Sequence, residues 1–219
     1  MAADDRWTAV AALADTSRRA LYDHVRRAGH PVGRDEAAGA AGISRRRAAF
    51  HLDKLVDAGL LRARHEAPPS RPRGRGRSPK VYEPASAGVT VTIPERRYEL
   101  IAEILADAVA TEPANADRAA VRLAHRRGME VGARLPETGG ELTGALEGLG
   151  FEPRREADGA VLLHNCPFHV LAVRQTELVC ALNHAFVSGI LAGLGETRMQ
   201  ALLVPRPGAC CVRLTRPGE

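Results

Sequence analysis

The apolar positions of residues 45 to 57 follow helical spacing. With Ala48 as reference, Leu52 and Leu55 fall on one face at i+4 and i+7, with Val56 at its margin. Arg46, Arg47, Phe50, Asp53, Lys54 and Asp57 fall on the other side. That is the buried stripe and solvated back of an amphipathic helix. Ser44 ahead of it can accept an orphan amide hydrogen bond of the first turn, and Gly59 behind it tolerates the left-handed conformation past a helix end. Upstream, Ala37, Ala38 and Ala41 predict a short Ala-rich helix able to cross a neighbour closely, with a tight turn at Gly42. Residues 6 to 29 predict one or two further helices, the Asp15-Thr16-Ser17 cluster capping SRRALYDHVRRAG, with Leu21, Tyr22 and Val25 as the packing face. After the amphipathic helix come two strand-like runs, LLRAR and KVYEP, joined by HEAPPSRPRGRGRSP.

Beyond a linker at residues 86 to 94 the pattern predicts a helix from about Glu95 to Ala110. It places Leu100, Ile101, Ile104, Leu105, Ala108 and Val109 on one broad stripe. A stripe that wide, on an element between two domains, suits a dimer interface; the alternative is packing within its own chain. A further helix spans about Ala114 to Leu135. From Glu141 the pattern becomes mixed: a short helix to Leu149, strands flanking Asp158-Gly159, helices within 167 to 193, and strands flanking residues 205 to 208. The most apolar window, Leu178 to Gly195, is interrupted by Asn183, His184 and Ser188, which predicts a core helix rather than a membrane span. The fold class expected is α+β: an N-terminal domain over 1–85, linker and dimerisation helices over 86–135, and a C-terminal mixed α/β domain over 136–219.

Charge separates the two ends. Residues 1 to 84 hold 17 Lys+Arg against 10 Asp+Glu, whereas residues 85 to 219 hold 14 against 16, within an overall net charge of +5. A basic front half joined to a slightly acidic back half points to a nucleic-acid module coupled to something else. Two helices meeting at a tight turn, three arginines opening the second, and a hairpin behind them match the winged helix-turn-helix plan, in which that first turn meets DNA base edges. Ser44, Arg45, Arg46, Arg47, Phe50, His51 and Lys54 are the candidate contacts from the helix. Arg71, Arg73, Arg75, Arg77 and Lys80 are those from the wing, where interleaved glycines let arginines approach phosphates or a narrow minor groove. The expected partner is double-stranded DNA read by a homodimer, with no membrane. The acidic start MAADDRW is unlike a signal peptide, so the expected location is cytoplasmic.

All four cysteines, Cys166, Cys180, Cys210 and Cys211, lie in the back domain. In a cytosolic chain that confinement suggests metal binding or redox chemistry more than a structural disulfide. Cys166 and His169 are one turn apart where a strand gives way to a helix, and Cys180 and His184 form an i, i+4 pair. Alternation along the terminal strand puts Cys211 on the face opposite Cys210, which makes Cys210 the better candidate for a plain core residue. Cys166 beside His169 also allows a nucleophile with a base, but no third orienting residue is evident, so an enzyme is the less favoured class.

The residues AAFHLDKL, the basic wing, and the later NCPFHVLA…ELVC…CCV pattern resemble a bacterial group of ArsR-like winged-helix regulators. That group includes the iron–sulfur-binding repressor of the Suf cluster-assembly operon. The resemblance covers nearly the whole chain. It implies a dimeric transcriptional regulator in which Cys166, Cys180 and Cys211 are cluster ligands; the fourth stays open between His169, His184, Cys210 and a solvent or small thiol. Thiolates suit an iron–sulfur cluster, and a mixed Cys/His set suits zinc. A metal-free thiol or small-ligand sensor is the alternative.

Overall fold

A computed structural model describes residues 3–66, 78–85, 88–135, 141–206 and 208–218. It is a mixed α and β structure with two small antiparallel sheets. The chain divides after Val91 into two compact units, Met1–Val91 and Thr92–Glu219.

In the first unit, helices α1 (Ala3–Ala12), α2 (Thr16–Arg27), α3 (Arg34–Ala41) and α4 (Arg45–Asp57) surround a core of small and branched residues. The caps are those the residue types predict. Asp15 accepts from the Arg18 amide at 2.9 Å and Ser44 from the Arg47 amide at 3.3 Å. Gly42 adopts φ 63° at the turn between α3 and α4, and Gly59 φ 70° behind α4, both in the left-handed region that glycine enters without a Cβ clash. Leu21, Ala37, Ala48, Leu52 and Leu55 are fully buried, each leucine contributing roughly 1.5–3 kcal/mol. Strands β2 (Leu61–His65) and β3 (Lys80–Pro84) form a hairpin with His65 opposite Lys80. A two-residue strand, β1 (Val32–Gly33), which the periodicity did not predict, pairs with the other edge of β3 and gives the order β1-β3-β2.

The second unit is built on α9 (Thr176–Gly193), buried on most sides. It packs on α6 (Ala116–Gly132), with α5 (Tyr98–Thr111), α7 (Glu141–Gly148) and α8 (His169–Arg174) around them. Strands β4 (Pro153–Arg155), β5 (Val161–Leu163), β6 (Gln200–Leu203) and β7 (Val212–Thr215) form an antiparallel sheet in the order β4-β5-β7-β6. Alone among helices of the described residues, α9 is long and apolar enough to cross a membrane, but 56% of that window is buried inside the protein.

The apolar stripe of α5 is used largely within its own unit. Ile101, Ile104 and Ala108 are in the core, Leu100 and Leu105 pack against it, and only Val109 stands out, at 57% exposure. Such a broad stripe is covered by α6 and the rest of its own unit, so α5 and α6 belong to the second core rather than to a segment between cores.

Candidate nucleic-acid face and thiol cluster

Burying Ala48, Leu52 and Leu55 fixes the rotation of α4, and that rotation sends Arg45, Arg46, Arg47, Phe50 and Lys54 outward. Phe50 is 57% exposed, an unusual place for a large apolar ring. Arg45 is paired with Asp35 at 2.8 Å and Lys54 with Asp57 at 3.3 Å. Arg46 has no ion-pair partner among the described residues. His51 corrects the expectation of a DNA contact: it is 6% exposed and its Nε2 accepts from Arg47 Nε at 3.4 Å. Its spacing of three from Ala48 places it on the buried stripe.

Lys80 is also less available than expected. Its ammonium lies 2.6 Å from Asp53 Oδ1 and over the Tyr82 ring, 5.3 Å from the centroid. The Tyr82 hydroxyl donates to the same carboxylate at 2.8 Å and accepts from Arg34 Nε at 3.1 Å. This network, which sequence reasoning missed, ties β3 to α4 and α3. Burial pushes the Asp53 carboxyl up, but hydrogen bonds from Lys80 and Tyr82, with the Arg34 charge, outweigh it and hold the group below the usual carboxylate range. Arg71, Arg73, Arg75 and Arg77 lie outside the described residues.

The four cysteines come together in the second unit, all of them buried and free. The β5–α8 loop supplies Cys166, α9 supplies Cys180, and Cys210 and Cys211 precede β7. All four lie in the same hydrophobic core, near enough to perturb one another's ionisation. Cys210 is part of this cluster. Strand alternation does not apply to Cys210 and Cys211, because β7 starts at Val212 and both lie in irregular backbone. Asn183, 1% exposed on α9, donates through Nδ2 to Cys210 Sγ at 3.0 Å and Cys211 Sγ at 3.9 Å. In the sequence Asn183 shows only as an interruption of the apolar run. Arg96 pins the loop by donating to the Cys166 carbonyl at 2.8 Å.

The histidines stay outside this cluster. His184 Nε2 is engaged by the Ala201 carbonyl at 3.0 Å, and His169 is exposed. Hydrogen bonding to Cys210, then burial, drives the Cys166 thiol far above its ordinary range. Burial also raises Cys180. For Cys210 the bond with Cys166 pulls down, but the bond with Cys211 and burial outweigh it, and the thiol is pushed up to about 11. Thiols held protonated are the reverse of an activated nucleophile. The donor set, four sulfurs, is the chemistry of zinc and iron–sulfur sites. As placed, however, no group of three or more His, Cys, Asp or Glu among the described residues is set out to hold a metal ion.

No protein-family model matches the chain, and no curated protein or solved structure is detectably similar to it.

Proposed function

We propose that the protein is a dimeric, sequence-specific DNA-binding transcriptional regulator of the ArsR-like winged-helix group, with the thiol cluster of its second unit as the sensing site. The observation that carries the reading is the first turn of α4. Its apolar face is locked into a core, while Arg46, with no ion-pair partner among the described residues, and the half-exposed Phe50 face outward. A helix held in that way presents guanidinium and an apolar ring where base edges and a thymine methyl would lie. Further support comes from β2 and β3: the residues joining them carry Arg71, Arg73, Arg75 and Arg77, suited to phosphate contacts that weaken as salt rises.

The sensing part of the reading starts from thiols. Cys166, Cys180, Cys210 and Cys211 are gathered and buried, and the thiols of Cys166, Cys180 and Cys210 are pushed up, so an iron–sulfur cluster or zinc would require thiols to deprotonate and rearrange. Anaerobic purification with iron, sulfide and zinc analysis separates the cases. Stoichiometric iron and sulfide identify a cluster, zinc alone a metal site, and neither a thiol sensor.

The DNA-binding reading is tested by fluorescence anisotropy on a selected duplex against random duplex. Arg46→Ala with Arg47→Ala lowers specific affinity by about tenfold or more while the thermal transition is unchanged. Unaltered affinity would show that α4 does not read DNA.

A further inference from the structure

The second unit has another concave feature, lined by no cysteine. Bounded by α7, the β4–β5 turn and the chain flanking β6 and β7, it has a volume of about 260 Å³, near the lower end of ordinary small-molecule pockets. Its apolar lining is the part-exposed Leu142 and Met199, with the buried Leu146 and Val161 beneath them, and Glu196 also borders it. Three arginines stand around it: Arg155, Arg198 and Arg216.

These cations are not equivalent. Arg198 is already neutralised by Glu196, with contacts at 3.1 and 3.3 Å. Arg155 Nη1 reaches the Gly159 carbonyl at 3.4 Å, and the Arg216 guanidinium lies 3.6 Å from where a Cβ of Gly159 would sit. Neither Arg155 nor Arg216 has a carboxylate partner among the described residues. Both guanidiniums thus stand at one glycine turn whose carboxylates, like the Glu196 that borders the cavity, are already paired with other arginines. The contrast with Arg213 is direct: it holds both Glu156 and Asp158, at 2.7 and 2.6 Å.

We infer that this cavity binds a small carboxylate carrying an apolar body. The carboxylate accepts hydrogen bonds from Arg155 and Arg216, for which the guanidinium fork is suited, and the body rests on Leu142 and Met199. These two part-exposed side chains are what favour an amphipathic anion over an inorganic one.

Isothermal titration of the full chain without DNA tests this, using hexanoate, benzoate, 1-hexanol and inorganic phosphate as probes. Saturable binding of hexanoate or benzoate is expected, with 1-hexanol and phosphate each weaker by about tenfold or more. Arg155→Gln with Arg216→Gln should weaken the carboxylate by about tenfold or more and leave the thermal transition in place, because both side chains are exposed. Three results would overturn the inference: no saturable carboxylate binding up to about 10 mM, phosphate or hexanol binding as well as the carboxylates, or undiminished binding in the double variant. Because the readout is on free protein, failure here leaves the DNA-binding reading untouched, and the reverse also holds.

Discussion

Replacing Gly189 with alanine probes the packing on which the thiol cluster rests. Helices α6 and α9 cross on four glycines, Gly128 and Gly132 against Gly189 and Gly193. A Cβ at Gly189 would stand 2.1 Å from the His125 carbonyl oxygen and 2.9 Å from its carbon, and one at Gly128 would stand 2.1 Å from the Phe186 oxygen. The obstacles are helix backbone and cannot rotate aside. Restoring an ordinary contact near roughly 3.4 Å parts the helices locally by about 1.3 Å, loosening Phe186 and Ile190, which are 2% and 0% exposed. Overpacking of this kind costs about 3 kcal/mol at the upper end of its usual range, and the gain in helix propensity from glycine to alanine returns about 1 kcal/mol. The net loss is about 2 kcal/mol, a fall of roughly 6–10 °C in the transition of a unit this size.

Gly144 supplies the control. It lies in α7 with nothing within 4 Å of its Cβ position, so Gly144→Ala should stabilise by about 0.5–1 kcal/mol. Scanning calorimetry on the two variants reads opposite signs from the same chemical change. A Gly189→Ala protein with an unchanged or raised transition would refute the close crossing of α6 and α9.

Other consequences are equally open to measurement. Asp53→Ala removes the carboxylate that holds Lys80 and Tyr82; with a side chain 44% exposed, its loss should cost about 1 kcal/mol in urea unfolding, and no change would mean the network is not formed. Asp15, through its hydrogen bond from the Arg18 amide, and Asp53 both titrate below the ordinary carboxyl range. Their stabilisation is therefore present above that range and lost as pH falls through the folded values. The first unit, followed by fluorescence of Trp7, the single tryptophan, should hold steady down to about pH 5 and weaken below about pH 4; stability that rises on acidification would contradict the assignment. Cys210, pushed up to about 11, is thiolate in only about one molecule in 10⁴ at pH 7. Disulfide-exchange reagents should accordingly label native protein far more slowly than unfolded protein, and rapid native labelling of Cys210 would show an open site.

Local signals were legible in the sequence and tertiary partners were not. Ser44, Gly42, Gly59 and the Ala48–Leu52–Leu55 stripe act through contacts within a few residues, so spacing alone located α3, α4 and the start of β2. The same wheel puts His51, three residues after Ala48, on the buried side, where it is 6% exposed. The Gly128–Gly132 and Gly189–Gly193 spacings are visible in the sequence, yet which helix meets which is decided only by the fold. The α5 stripe showed that a partner exists but not whether that partner belongs to the same chain. Two adjacent residues ahead of a strand, such as Cys210 and Cys211, obey no alternation, and Asn183 becomes informative only once Cys210 is seen 3.0 Å from its amide.

Selection of binding sites from a random duplex pool by the full chain, sequenced after several rounds and repeated with the Arg46→Ala, Arg47→Ala protein, tests the central claim most directly. The account predicts enrichment of a pseudo-palindrome with half-sites about one helical turn apart, lost in the variant. A pool that stays random with the native protein, or the same motif recovered by both proteins, would contradict it.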